Sequence, residues 1–242
     1  MTLASNIRNE INNFPEGKTF GYGDLHIARE KYQTAAKALE RLQKEGFIKK
    51  ISKGVFYKPE ITVFGELKPD YEELLRPYIF ENGKRVAYET GTSLYNRLGL
   101  TTQVPFRIKI ASRGKRINID RGTLQADAVK SYAEVTDGNF ETLGLLDAFK
   151  DIKRIPDCSV AQAVRRLNAI LKELTVSQIA ALIKYALMYP PRVRATIGAM
   201  LQSNGHPTEN LEKLRDGLNT LTTIKLGIKE IELPTKADWY IK

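Results

Sequence analysis

Residues 33–57, QTAAKALERLQKEGFIKKISKGVFY, carry the change of periodicity that decides the fold of the N-terminal region. Apolar residues recur at helical spacing up to position 45, and Gly46 supplies a typical helix stop. Beyond it the pattern is that of two short strands, 47–51 and 55–57, joined by a turn that contains Gly54. The stretch therefore predicts a helix followed by a β-hairpin. The predicted buried face of the helix consists of Ala35, Ala38, Leu39 and Leu42.

The residues before this stretch complete a known order of elements. Apolar residues from Ile7 to Phe14 lie at helical spacing, and the glycines and proline of residues 15–23 interrupt the pattern. A second, short helix is predicted to open near Asp24, a residue type that favours the N-cap. Three helices followed by a β-hairpin form the order of a winged helix-turn-helix, which we predict for residues 1–60.

The rest of the chain predicts a mixed α+β region with a helical C-terminal part. Residues 59–69 contain two prolines and a glycine with little periodicity, so we predict a linker at 61–69 and a second domain over 70–242. The predicted elements of its first part are helices at 71–80 and 93–99 and strands at 106–111 and 117–119.

Two capping-box spacings mark the helical part. Ser159 stands three residues before Gln162, and Thr175 stands three before Gln178, each ahead of an apolar helical pattern. Further helices are expected after the Pro190-Pro191 pair and around residues 211–221, and residues 223–242 predict a strand or two. The expected fold class is α+β.

Composition excludes several classes of protein. Of 242 residues, 42% are apolar and 27% charged, which is typical of a globular chain, and no apolar run approaches the roughly 18 residues of a membrane span. One Cys and two His exclude an intramolecular disulfide and a Cys/His zinc cluster, so we expect a cytoplasmic protein without metal. The 38 Lys and Arg exceed the 28 Asp and Glu by ten, which favours a polyanionic partner.

The third predicted helix has the basic face that such a partner needs. At 100° per residue its cations lie on the side away from the apolar stripe, so packing that stripe exposes them. The N-terminal end of a recognition helix reaches base edges in the major groove, and later positions meet phosphate. The predicted base-edge residues are Gln33, Thr34 and Lys37, and the predicted phosphate contacts are Arg41 and Lys44.

The hairpin that follows is predicted to form the wing, with DNA contacts from Lys49, Lys50, Ser52 and Lys53. Two alternatives stay open at this point. The cations of an exposed helix also occur as ordinary solvated charge, and winged helices also dock proteins.

A second basic group lies in the middle of the chain. Its members are Arg107, Lys109, Arg113, Lys115, Arg116 and Arg121. Alternation of basic and apolar residues places the first two on the exposed face of a predicted strand. The group predicts either an extension of the nucleic-acid surface or a solvated edge that resists aggregation.

Catalytic patterns are weak. Gly91-Thr92-Ser93 at a helix start could cradle a phosphate, and Asp70 and Glu72 have the spacing of a nucleotidyltransferase carboxylate pair. The pair precedes the glycine turn, however, whereas such enzymes have the opposite order. We interpret Ser93 as an N-cap and predict no catalytic residue and no cofactor. The enzyme alternative would require Asp70, Glu72 and Glu89 around one cleft.

Two motifs resemble a known family. Tyr88-x-x-Gly91-x-Ser93-Leu94-Tyr95 is followed by Leu98-Gly99-Leu100-Thr101-x-Gln103-Val104-Pro105. Together with the predicted winged helix they resemble the antitoxin of AbiE-type abortive infection systems, from the first helix to about Pro156.

This resemblance implies a transcriptional autorepressor that binds inverted repeats in double-stranded DNA, with dimerisation on the DNA left open. It also implies a C-terminal domain that neutralises a nucleotidyltransferase-like toxin, with or without direct binding. By the same likeness Gln33, Thr34, Lys37 and Arg41 fall on the recognition helix, and Lys50 and Lys53 fall on the wing. The residues alone leave two alternatives, a nucleic-acid or nucleotide-modifying enzyme and a protein adaptor.

Overall fold

The computed structural model describes residues 2–63, 65–121, 124–207 and 211–242 of the chain. The chain divides into two compact units, Met1–Arg85 and Val86–Lys242. Both are built from helices and strands, so the α+β class is confirmed.

The division after Arg85 corrects the predicted boundaries of 1–60, 61–69 and 70–242. The expected linker contains two short paired strands, and the helix after it packs on the first strand of unit 1. Glu73 of that helix accepts hydrogen bonds from the backbone N–H and the hydroxyl of Thr19, at 2.8 and 2.9 Å. The sequence could not show this contact because its partners are 54 positions apart.

Unit 1 contains three helices and seven strands within the described residues. The helices are α1 (Leu3–Asn12), α2 (Tyr32–Lys44) and α3 (Tyr71–Ile79), and the strands are β1 (Thr19–Gly21), β2 (Lys49–Ser52), β3 (Val55–Tyr57), β4 (Glu60–Thr62), β5 (Gly65–Leu67), β6 (Phe80–Glu81) and β7 (Lys84–Arg85). The core of the unit is formed by α1, α2 and the sheet β1-β3-β2, with Ile11, Leu39 and Ile48 fully buried.

The predicted short helix near Asp24 is wrong. Residues 22–26 form turns, and a 3-10 turn at Arg29–Lys31 leads into α2. The Asp24 carboxylate accepts from the backbone N–H of Gly21 at 2.8 Å, so it closes a turn and caps no helix. β1 was not predicted, because three residues ending at a glycine give too short a pattern.

Unit 2 packs helices against one mixed sheet. Its helices are α4 (Thr92–Arg97), α5 (Phe140–Lys150), α6 (Val160–Glu173), α7 (Val176–Ala186), α8 (Pro191–Ser203) and α9 (Glu212–Arg215), and its strands are β8 (Ala87–Thr90), β9 (Ile108–Ser112), β10 (Ile119–Arg121) and β11 (Leu124–Lys130). The strand order is β10-β11-β9-β8, with β9 and β11 parallel and the other pairs antiparallel.

Both predicted capping boxes are confirmed. The Ser159 and Thr175 hydroxyls accept from the backbone N–H groups of Gln162 and Gln178, whose side chains return to the cap residues. The N-cap interpretation of Ser93 is wrong. Gly91 occupies the N-cap of α4 with φ +75°, a conformation that favours glycine. Ser93 is the second residue of the helix, and its hydroxyl oxygen is buried.

The C-terminal tail also differs from the expected strands. A 3-10 turn at Pro234–Trp239 precedes an isolated parallel bridge between Ile224 and Ile241. The turn packs on α8, where Trp239 is fully buried. Helical periodicity around 211–221 gives only the short α9.

Candidate nucleic-acid interface

The two faces of α2 are the ones that the sequence predicts. Ala35, Ala38, Leu39 and Leu42 are buried, and the five candidate contacts on the other side are exposed. Those five are Gln33, Thr34, Lys37, Arg41 and Lys44. Because the apolar face packs on α1 and the sheet, the polar face of α2 is presented to solvent.

Three of the cations near α2 have acidic partners. Arg41 lies 3.5 Å from Glu45, which also binds Arg8 at 2.7 Å, and Lys44 lies 3.0 Å from Glu40. Such exposed pairs contribute little to stability and separate readily. Lys37 has no acidic partner in the part of the chain that the structure describes. It is therefore the cation of α2 that is most available to an anion.

The three lysines of the β2–β3 hairpin have different surroundings. Lys49, at the end away from the turn, donates to Glu66, which also accepts from the Tyr57 hydroxyl at 2.8 Å. Hydrogen bonds from Lys49 and Tyr57 lower the pKa of Glu66, while burial and this carboxylate raise the pKa of Tyr57 to about 12. Lys49 is thus neutralised locally. Lys50 and Lys53 are exposed, without an acidic partner among the described residues.

Ser52 lies outside this exposed surface. It is 7% exposed, and its hydroxyl accepts from the Tyr78 hydroxyl of α3 at 3.4 Å. The prediction that its side chain contacts DNA is corrected, because the side chain points into the packing between the hairpin and α3.

Sequence reasoning missed Tyr22, which connects α2 to the hairpin turn. Its ring centroid lies 5.0 Å from that of Tyr32, the first residue of α2, and 6.3 Å edge-on from that of Phe56 in β3. A Cβ on Gly54 would lie 3.7 Å from the same ring. Tyr22 therefore fixes the spacing between the start of α2 and the turn at Lys53-Gly54. The sequence signal that could have indicated Tyr22 is its position between Gly21 and Gly23.

The second basic group is partly neutralised. Arg107 binds Asp127 at 2.8 Å and Asp120 at 3.4 Å, and its hydrogen bond to Asp127 lowers the pKa of that carboxyl. Arg113 donates to the Tyr132 carbonyl at 2.7 Å.

The other members of this group have separate surroundings. The Lys109 chain lies against Gly91, Lys115 and Arg116 are exposed, and the Arg121 side chain lies outside the described residues. Because Arg107 and Arg113 have partners of their own, the described members of the second basic group do not form one continuous cationic surface.

Two of the three carboxylates of the enzyme alternative have other contacts. Asp70 caps α3 by accepting from the Glu73 backbone N–H at 2.8 Å, and Glu89 binds Arg97 at 2.7 Å. Across residues 2–63, 65–121, 124–207 and 211–242, His, Cys, Asp and Glu form no group of three that could hold a metal ion. In the same residues no helix has the length and apolar character needed to cross a bilayer.

Unit 2 has a buried polar centre around Asp147 that the sequence did not indicate. Its carboxylate accepts from the Tyr88 and Tyr189 hydroxyls at 2.9 and 3.3 Å, from Thr90 at 2.8 Å and from Lys150 at 2.8 Å. Burial, followed by this negative charge, raises the pKa of both tyrosines. Four donors satisfy the carboxylate, and the contacts with Tyr88 and Thr90 join β8 to α5.

The comparison with protein families covers most of the chain. Residues 6–179 match a family of unknown function, DUF6088. The chain belongs to the DUF6088 family. The matched range runs from α1 into α7, so the family includes unit 1 and the sheet of unit 2.

A solved structure has a similar fold. The DUF6088 chain superimposes on the crystal structure of the RV2827C protein from Mycobacterium tuberculosis with a TM-score of 0.53 and 14% sequence identity. The likeness covers 92% of this chain and 84% of the other. At that identity it concerns the fold alone. No curated protein sequence matches the chain.

Proposed function

We propose that this DUF6088 protein is a DNA-binding transcriptional autorepressor whose unit 1 binds DNA in the manner of a winged helix-turn-helix, with the turns of residues 22–26 and the 3-10 turn at Arg29–Lys31 in place of the predicted second helix. The observation that carries the proposal is the placement of Lys37, Lys50 and Lys53. All three are exposed on α2 and the neighbouring hairpin of one unit, and none has an acidic partner within the described residues. Ammonium groups in this arrangement suit the phosphates of a duplex that receives α2 in its major groove.

Net charge by itself does not favour unit 1. Residues 1–85 contain 15 Lys and Arg and 12 Asp and Glu, a net charge of +3, whereas residues 86–242 contain 23 and 16, a net charge of +7. The proposal rests on position instead. Among the cations of α2 and the β2–β3 hairpin, Arg41, Lys44 and Lys49 have acidic partners, which leaves Lys37, Lys50 and Lys53 as the unpaired cations of these two elements within the described residues.

Binding that depends on phosphate contacts weakens steeply with salt. Each contact contributes about 0.9 to the slope of log affinity against log salt, so Lys50→Ala with Lys53→Ala should lower the slope by about 1.8. Fluorescence anisotropy with duplex DNA across a salt series measures this slope. Lys18→Ala is the control, since Lys18 lies over the Phe14 ring at the opposite end of the β1-β3-β2 sheet. An unchanged slope in the double variant would contradict the proposed contacts.

We further propose that the protein is the antitoxin of an AbiE-type abortive infection system, with unit 2 as the part that counters a nucleotidyltransferase-like toxin. The motifs from Tyr88 to Pro105 support this assignment. The proposal includes no catalytic site and leaves direct binding of the toxin and dimerisation on inverted repeats open.

The antitoxin proposal has a direct test. Co-expression of the full chain with a nucleotidyltransferase-like protein encoded beside it should restore growth, and the Lys50→Ala/Lys53→Ala variant should restore it equally if unit 2 acts without DNA. Growth arrest that persists in the presence of the wild-type chain would contradict the proposal. A neighbouring acidic protein that binds without any toxicity would favour the adaptor alternative.

A further inference from the structure

The β6–β7 hairpin at the end of unit 1 is a second tight turn near the proposed DNA surface. Phe80 pairs with Arg85 and Glu81 with Lys84, which leaves Asn82 and Gly83 as the two-residue loop. Their φ angles of +50° and +72° fit the turn type that Asn-Gly prefers in hairpins. The hairpin is therefore short and conformationally defined.

Glycine contacts place this hairpin beside the β2–β3 turn. A Cβ on Gly23 would lie 3.2 Å from Oδ1 of Asn82, and a Cβ on Gly21 would lie 3.1 Å from the carbonyl oxygen of Gly54. The turn of residues 21–24 thus contacts both hairpins. The loop at Asn82-Gly83 and the loop at Lys53-Gly54 lie at the same end of the β1-β3-β2 sheet.

Helix α3 leads directly into the β6–β7 hairpin and also contacts the β2–β3 hairpin. The Tyr78 hydroxyl donates to Ser52, the residue just before Lys53, at 3.4 Å. The Arg85 guanidinium lies 4.7 Å from the centroid of the Phe80 ring, and the Arg76 guanidinium lies 5.9 Å from it. These contacts hold the base of the β6–β7 hairpin and leave its loop exposed.

We infer that the β6–β7 hairpin extends the DNA-contacting surface and that Lys84 binds a backbone phosphate beside the one bound by Lys53. The inference rests on the proposed function. Lys84 is exposed and stands next to the loop, and its ammonium group is a compact charge that suits phosphate rather than a base edge. The acidic residue opposite it in the ladder, Glu81, limits the net charge of the hairpin, so one phosphate contact is assigned.

The experiment compares Lys84→Ala with the wild-type full chain on a short duplex of arbitrary sequence, since phosphate contacts do not depend on sequence. We expect affinity to fall about fivefold to tenfold at about 0.1 M salt and the slope to fall by about 0.9. Lys84→Arg keeps the charge and should retain both values.

Lys68→Ala is the matched control. Lys68 is exposed and follows β5, whose Glu66 binds Lys49 at the far end of the β2–β3 hairpin, so its removal should change neither affinity nor slope. If Lys84→Ala behaves like Lys68→Ala while loss of Lys37 weakens binding, the inference is overturned and the proposed function stands. If the wild-type chain binds no duplex, both are overturned.

Discussion

Replacing Lys37 and Arg41 of α2 by alanine is expected to weaken duplex binding by at least about 30-fold while the protein stays folded. A base-edge or phosphate contact of this kind contributes about 1–3 kcal/mol, and each 1.4 kcal/mol is about tenfold in affinity. Lys37 stands in the first half of α2, where a recognition helix meets base edges, so its loss should also relax sequence preference. Titration of operator and shuffled duplexes gives both effects.

The fold should survive this change because both side chains are exposed. Arg41 loses only a surface pair with Glu45, and Glu45 keeps its contact with Arg8. The matched control is the double variant Lys18→Ala/Lys68→Ala, which removes the same charge from unit 1 at positions away from α2 and the hairpin turns. Equal affinity of the two double variants would show that net charge, and not α2, determines binding.

Replacing Trp239 by alanine is expected to lower the free energy of unfolding of unit 2 by about 3–5 kcal/mol. The side chain is fully buried against α8, and its ring lies where Gly198 leaves room for it. Its indole N–H donates to Gln202 at 2.7 Å, and the Arg215 guanidinium lies 4.9 Å over the ring. Removal leaves a cavity and takes the indole donor away from the Gln202 amide oxygen, and the ring's own packing on α8 is lost.

Urea unfolding followed by circular dichroism measures this loss. Ile231→Ala is the control, because Ile231 belongs to the same tail but is 88% exposed, and its free energy of unfolding should change by less than about 0.5 kcal/mol. A loss below about 1 kcal/mol for Trp239→Ala would contradict the packing of the tail on α8.

Local periodicity predicted the elements whose signal lies within a few residues. The buried face of α2, the helix stop at Gly46 and both capping boxes needed no distant contact, because helical spacing and cap hydrogen bonds act over three or four positions. The same rules failed near Asp24. A good cap residue there closes a turn on Gly21, since side-chain oxygens of aspartate stabilise turns as well as helix starts.

Local periodicity could not predict which of the candidate site residues are free to contact DNA. Lys49 and Lys50 are adjacent in sequence, yet only Lys49 binds Glu66, which arrives from β5 seventeen residues later. Arg107 belongs to a basic group in the sequence, but in the structure it is bound by Asp127 of a neighbouring strand. Ser52 stood in a turn and is covered by Tyr78 of α3. In each case the deciding partner is distant in sequence.

The sequence alone determined the class of the fold, the basic face of α2 and the position of the hairpin, because these follow from the spacing of residues along one element. Only the tertiary structure decided where unit 1 ends, which lysines keep an unpaired charge, and that Tyr22 and the β6–β7 hairpin adjoin the β2–β3 turn. The physical reason is that charge pairing and burial depend on distances through space, and strand pairing and helix packing set those distances between residues far apart in the chain.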